Sequence, residues 1–109
     1  MPEYFFDTEA EADYAPDKMK KINLYKSPRL FCDVYCLLPG QAQKEHAHAE
    51  NDKIYHQLSG TAEVCIGEER RTLRPGEVAV APAGVVHGVR NTSRAPASLL
   101  VVMAPHPRL

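Results

Sequence analysis

The chain has 109 residues, a formal net charge of -1, and 44% hydrophobic against 25% charged residues. That length fits one domain with one hydrophobic core, and the composition is that of an ordinary globular domain. The longest apolar stretch, near residues 97–105, is far shorter than the roughly 20 residues of a membrane-spanning helix. We therefore expect no membrane association, and the charge pattern offers no basic surface for nucleic acid.

The N-terminal residues are acidic and carry several aromatic side chains. A secretory signal would instead be basic and then apolar, so we expect a cytoplasmic protein. The predicted organisation is an N-terminal arm over residues 1–21 and a single domain over residues 22–109. We expect Phe5 and Phe6 to dock on the domain or on a neighbouring subunit, because two exposed aromatic rings would otherwise form an apolar patch.

Three cysteines, Cys32, Cys36 and Cys65, are an odd number without the spacing of a metal-binding pair. A disulfide framework is therefore not expected. Cys32 and Cys36 lie four residues apart in a predicted strand, about 13 Å between Cα atoms, which is too far for a bridge. We expect the cysteines to be small buried residues.

From residue 22 onward, short apolar stretches are separated by Pro and Gly about every eight to twelve residues, which predicts an all-β sandwich or barrel. Helical periodicity is hard to find. The segment 30–38 is mostly apolar on both faces, as expected for a strand covered on both sides. The predicted strands are residues 30–38, 52–58, 61–66, 70–73, 77–81, 86–91 and 97–104.

Two histidines separated by one residue, His46 and His48, occupy the middle of the segment 40–60. On one β-strand their side chains would project from the same face. A shared metal ion needs a third donor, and His87 is the other histidine that is framed by turn residues. Neutral imidazole suits Zn, Cu, Fe and Ni, and three such ligands leave positions open for water or substrate. We predict that these three histidines bind one divalent transition metal ion, with Fe, Mn, Zn, Ni and Cu as candidates.

Two glycine-framed motifs make the sequence similar to small single-domain members of the cupin superfamily. The first motif consists of Gly40, His46, His48 and Gly60, and the second of Gly76, Pro82, Gly84, His87 and Asn91. The resemblance implies a jelly-roll β-barrel, or double-stranded β-helix, made of two antiparallel sheets. It also implies a metal ion inside the barrel and a homodimer.

The chain departs from the cupin pattern at the fourth metal ligand. Lys53 occupies the position where the family usually has a glutamate, and a protonated ammonium cannot bind a metal ion. A three-histidine site is therefore expected. Two alternatives for a fourth ligand stay open: Asp52, if a bulge turns it inward, and the amide oxygen of Gln57.

Strand parity puts Lys53, Tyr55 and Gln57 on the cavity side of the strand 52–58. Tyr55 and Gln57 are the predicted catalytic residues, for proton transfer and substrate orientation, although a structural hydrogen bond is an equal interpretation of Gln57. Lys53 is expected at the rim, where it is solvated, pairs with Asp52 or Glu50, or holds an anionic substrate.

The remaining polar candidates have weaker signals. Asn91 shares a strand face with His87 and is predicted to support the site from behind the ligands. His56 is expected on the outer face, and His106 in the C-terminal tail.

Two functions stay open for such a protein. The first is a small-molecule metalloenzyme of the dioxygenase, isomerase or decarboxylase type. The second is a non-catalytic module that binds or senses a small ligand. We favour the enzyme because no regulatory domain is recognisable in these residues, although fold alone does not decide function.

Overall fold

The computed structural model describes residues 3–107, so residues 1–2 of the predicted arm and 108–109 of the predicted domain lie outside the described part. Within residues 3–107 the chain forms one short helix and nine strands. The elements are α1 (Thr8–Glu11), β1 (Lys20–Ser27), β2 (Leu30–Leu37), β3 (Ala42–His46), β4 (Asp52–Ser59), β5 (Ala62–Ile66), β6 (Glu69–Leu73), β7 (Val78–Ala81), β8 (His87–Arg90) and β9 (Ala97–Ala104).

The strands form two antiparallel sheets, which confirms the predicted all-β jelly-roll fold. The larger sheet has the order β1-β2-β9-β4-β7, and the smaller has the order β3-β8-β5-β6. Alternate side chains of the strands point inward and form one core. Among its fully buried members are Tyr35, Leu37, Tyr55, Leu99 and Val101.

β1 was not predicted as a strand, and β3 was expected only around His46 and His48, for the same physical reason. β1 and β3 each lie at an edge of a sheet, and neither contains a fully buried residue. The short apolar runs on which the prediction depended are therefore weak or absent there. The three cysteines are free, with Cys36 and Cys65 buried and Cys32 partly buried, as expected.

The N-terminal arm contains the one helix of the described residues, which the sequence did not predict. Asp7 caps it, since its side chain accepts hydrogen bonds from the backbone nitrogens of Glu9 (3.0 Å) and Ala10 (3.3 Å). Between residues 3 and 107, no helix is long and apolar enough to cross a membrane. Phe5 is 91% exposed, so it does not dock on its own domain, and a contact with another subunit stays a prediction.

A group of apolar side chains is exposed on the outer side of the larger sheet. Ile54 of β4 pairs with Val80 of β7, and both residues are exposed, as is Val78. Scattered exposed apolar residues are normal in monomers. The homodimer implied by the resemblance therefore stays a prediction.

Gly60 holds the tight connection between β4 and β5 and provides a test of the fold. Its φ is +63°, and a Cβ built there would lie 2.3 Å from the backbone oxygen of Pro96. We expect Gly60→Ala to lower the free energy of unfolding by roughly 2–5 kcal/mol, because it adds a left-handed backbone penalty to a backbone clash.

Gly40→Ala is the matched control in a urea titration. Gly40 also has a positive φ of +84°, but a Cβ added there would meet no atom within 4 Å. It should cost only the backbone penalty of about 1–2 kcal/mol. Equal losses for the two variants would contradict the clash at Gly60.

Candidate metal centre and its cavity

The structure brings the three predicted metal ligands together. His46 at the end of β3 pairs directly with His87 at the start of β8, and His48 follows two residues after His46. One ring nitrogen from each histidine lies within 4.8 Å of the other two. The ring centroids are 4.4 Å apart for His46 and His87, 5.0 Å for His46 and His48, and 5.7 Å for His48 and His87.

The expectation that both His46 and His48 lie on one strand is wrong. β3 ends at His46, and His48 lies in the connection to β4. The backbone oxygen of His48 instead accepts a hydrogen bond from the backbone nitrogen of Gly84 (2.8 Å), in the turn before β8. That bond ties His48 to the turn that leads into His87, without strand pairing.

Backbone carbonyls orient two of the three rings. Nδ1 of His46 lies 2.7 Å from the oxygen of Lys44, and Nδ1 of His87 lies 3.0 Å from the oxygen of Val85. A carbonyl only accepts, so Nδ1 is the donating nitrogen of each ring, and Nε2 is the nitrogen left to bind a metal ion. Nε2 of His87 is buried and has no hydrogen-bond partner within the described part of the chain. Buried polar atoms are normally paired, so this nitrogen is open to a metal ion.

The surroundings keep two of the imidazoles neutral. Burial lowers the pKa of His87 to about 4, and the nearby charges of Lys53, His46 and His48 act in the same direction. Burial, followed by the charge of His46, also lowers the pKa of His48. Neutral imidazole is the form that binds metal ions, so both rings are ready for that role at neutral pH.

Lys53 is buried, and the expectation of a solvated lysine at the rim is wrong. Its side chain is 1% exposed. Nζ donates a hydrogen bond to Oε1 of Gln43 (3.1 Å) and lies 5.2 and 5.1 Å from the ring centroids of Tyr35 and Tyr55. Burial lowers the pKa of Lys53 to about 7, with the charge of Lys21 acting in the same direction.

A cavity of about 440 Å³ opens beside His46 and His48, and Lys53 contributes to its wall. Three of its other lining residues, Phe31, Asp33 and Tyr35, lie on β2. Strand alternation puts these three side chains on one face of β2, but nothing in the sequence assigned them to a site. A carboxylate in an otherwise apolar strand was the signal that could have identified them.

His106 is a further lining residue that sequence reasoning missed, since it was expected in the tail. Its backbone nitrogen donates to the oxygen of Pro28 (3.2 Å), and its ring packs edge-on against Phe31 at 5.6 Å. These contacts fold the C-terminal segment over the cavity. No local pattern in the sequence indicates them.

Of the two candidate fourth ligands, Asp52 lies elsewhere, while a role of Gln57 as a ligand stays a prediction. Asp52 is exposed and accepts a hydrogen bond from the backbone nitrogen of Ala83 (2.9 Å), outside the histidine group. The pairing of β4 with β9 is regular from Asp52 to Gln57, so no bulge turns Asp52 inward. Gln57 donates through Nε2 to the oxygens of Ser59 (3.0 Å) and Gly60 (3.3 Å), which fits its structural interpretation.

Tyr55 and Gln57 face the barrel interior, but neither lines the cavity. The ring centroid of Tyr55 lies 6.2 Å from that of His87, and its hydroxyl is buried without a hydrogen-bond partner in the range 3–107. Oε1 of Gln57 is unpaired within the same range. Their catalytic roles stay predictions.

Asn91 is fully buried just beyond β8 and organises a turn. Its Nδ2 donates to the oxygens of Leu37 (2.9 Å) and Ala95 (2.8 Å), and its Oδ1 accepts from Ser93. None of these bonds reaches a histidine. The observed bonds stabilise the turn. Support of the metal-binding histidines by Asn91 stays a prediction. His56 is half-buried, and lies on the outer side of β4 as expected.

Comparison with known proteins agrees with this fold. The family profile described as Cupin domain matches residues 33–103. The chain therefore belongs to the cupin family, as the two motifs predicted.

Several relatives resemble the chain over nearly its whole length. The solved structure of TT1209 from Thermus thermophilus is 52% identical, with a TM-score of 0.92, and the match covers 94% of this chain and 98% of that one. An uncharacterized conserved protein with a double-stranded beta-helix domain from Klebsiella pneumoniae is 24% identical, with a TM-score of 0.86 and coverage of 94% and 90%. An uncharacterized protein of Streptomyces coelicolor is 29% identical over 97 residues, which are 89% of this chain and 90% of that protein.

The buried amine of Lys53 predicts an unusual dependence of stability on pH. Below about pH 7 the amine is protonated in both the folded and the unfolded chain, so the folded protein bears the cost of a buried charge. Between about pH 7 and 10.5 only the unfolded chain stays protonated, so the wild type gains stability as the pH rises. Lys53→Met should therefore stabilise the protein most below pH 7, and the gain should shrink towards pH 10.

Urea unfolding at several pH values measures this difference directly. Lys26→Met is the control, because Lys26 is an exposed lysine of the same cavity wall. Because Lys26 is exposed, its replacement removes no buried charge and should not reproduce the stabilisation expected for Lys53→Met below pH 7. A difference between wild type and Lys53→Met that is constant from pH 6 to 10 would refute the buried amine.

Proposed function

We propose that this cupin is a metal-dependent enzyme of the dioxygenase, isomerase or decarboxylase type that acts on a small molecule. The observation that supports it best is the convergence of three histidine ring nitrogens beside a cavity. The buried Nε2 of His87, which lacks a partner among the described residues, strengthens it. We propose His46, His48 and His87 as the ligands of one divalent transition metal ion.

The donor set fits such an ion. Three neutral imidazoles suit Fe, Mn, Zn, Ni or Cu, and three protein ligands leave coordination positions open. Hydrogen bonds from the other ring nitrogen to backbone carbonyls, as seen at Lys44 and Val85, are the usual way in which metal-binding histidines are oriented. A bound ion would supply a Lewis acid for a substrate oxygen or, if redox-active, a site for O2 chemistry.

The protein's own residues would position the substrate and exclude water. The cavity volume of about 440 Å³ falls within the usual range of small-ligand sites, about 300–1,000 Å³. Phe31 and Met103 provide apolar surface, while Lys53 provides an amine whose pKa is about 7. A titratable group with a pKa near neutrality inside a cavity is typical of an active site, and this favours an enzyme over a binding module.

Metal content tests the ligand assignment. Protein purified without added metal should contain close to one transition-metal ion per chain by elemental analysis. His48→Ala should lose nearly all of it, because two remaining imidazoles bind a divalent ion far more weakly. His48 is only partly buried, so the fold should survive.

His56→Ala is the matched control for metal content. His56 is also partly buried, but it lies on the outer side of β4. This variant should keep the metal content of the wild type. A wild type without metal, or a His48→Ala variant with full metal content, would exclude the proposed site.

Turnover distinguishes an enzyme from a binding module. The Fe-, Mn-, Ni-, Zn- and Cu-loaded proteins should be incubated with enediols, diketones and small carboxylic acids, and the products followed by mass spectrometry. At least one loaded form should convert a compound at a rate that His48→Ala reduces by a factor of about 100 or more, as expected when a metal-centred step is lost. Recovery of every compound unchanged would favour a non-catalytic ligand-binding cupin.

A further inference from the structure

Lys53 is a buried amine that makes no direct ion pair within residues 3–107, and the charge of Asp33 favours its ammonium form only from beyond ion-pair distance. The ion pairs between side chains of residues 3–107 involve Lys20, Arg70 and Arg74, and Lys53 takes part in none of them. Its one hydrogen-bond acceptor is the neutral amide of Gln43. The faces of Tyr35 and Tyr55 attract the cation, but ring faces offset only part of the cost of removing an ammonium from water.

The cavity as a whole also has more basic than acidic side chains. Lys21, Lys26 and Lys53 line it, against the single carboxylate of Asp33. That carboxylate already accepts a hydrogen bond from Nδ2 of Asn23 (2.8 Å). The three amines outnumber the one carboxylate, and this excess of basic side chains in a confined space attracts an anion.

The lining also has an apolar part. Phe31 and Met103 contribute to the same wall, and they pair as neighbours on β2 and β9. A ligand that suits both parts has an anionic head and a short apolar or aromatic body. A carboxylate is the simplest such head, because it can accept hydrogen bonds from Lys53 and can also reach a metal ion with its second oxygen.

We infer that Lys53 is the anion-binding group of this cavity and that the substrate is a small carboxylate whose head lies between Lys53 and the histidines. The inference builds on the proposed function by naming the substrate class. The ligand would supply the direct ion pair that Lys53 does not make within residues 3–107.

Benzoate and benzamide are suitable probes, because they have the same shape and differ in charge. Binding is measured by calorimetry at low ionic strength on protein stripped of metal with a chelator. Benzoate should bind at least about tenfold more tightly than benzamide. Lys53→Met should abolish this preference, while Lys26→Met should keep most of it. Equal affinities for the two probes, or a preference that survives Lys53→Met, would overturn the inference.

A second measurement needs no variant and covers the case in which Lys53→Met does not fold. The ¹³Cε resonance of Lys53 reports the pKa of the amine during a pH titration of labelled protein. Saturating benzoate should raise that pKa by one unit or more, because the anion stabilises the ammonium. Benzamide should leave it unchanged. An unchanged pKa in benzoate would overturn the inference as well.

These readouts separate this inference from the proposed metal site. If the wild type holds no metal but benzoate still raises the pKa of Lys53, the anion site stands and the metal-dependent function fails. If the metal content is normal but benzoate shows no preference over benzamide, the function stands and the anion site fails. The metal content of Lys53→Met should equal that of the wild type, since the lysine is not a ligand.

Discussion

The site depends on the close pairing of β3 with β8, because this pairing sets His46 directly opposite His87. Gly88, the residue after His87, makes the approach possible. A Cβ at that position would lie 3.1 Å from the backbone oxygen of Gln43 and 3.2 Å from Cα of Glu45. A side chain there would require β3 to shift by a few tenths of an ångström. The absence of a side chain at Gly88 therefore favours the close approach of the two strands that carry His46 and His87.

Lys53 affects the charge of the histidine site more than it affects the geometry of that site. The resemblance to cupins places a metal-binding carboxylate at this position. An ammonium in place of a carboxylate raises the charge of the site by two. The protein then has no anionic side chain in the histidine group, so neutralising a divalent ion there falls to solvent or to the substrate. A lysine held between two tyrosine rings and a glutamine is well placed to bring an anion to that position.

The sequence predicted the parts of the structure that depend on local pattern. The two glycine-framed motifs identified the family, the three histidines and the pair of sheets, and alternation along β4 correctly turned Lys53, Tyr55 and Gln57 inward. It did not predict that Lys53 is buried, because the groups that cover it, Tyr35 and Gln43, come from two other strands. Burial of a long side chain is set by its neighbours in space, which parity within one strand does not reveal.

The same limit explains the other errors. His48 keeps its place through one hydrogen bond to Gly84 rather than through strand pairing, and no spacing rule anticipates that bond. Asn91 is a separate case, because its observed bonds go to Leu37, Ser93 and Ala95, while its predicted role beside the histidines stays a prediction. A motif position indicates that a residue type is required there, but the requirement can be structural.

Tyr55 connects the two halves of the site, although it does not line the cavity. Nζ of Lys53 lies 5.1 Å from the ring centroid of Tyr55, and the ring centroid of His87 lies 6.2 Å from it. The ring is fully buried in the core, where close packing leaves it little freedom to move. In the carboxylate site inferred above, this ring would therefore help to set the distance that a ligand has to span between Lys53 and His87.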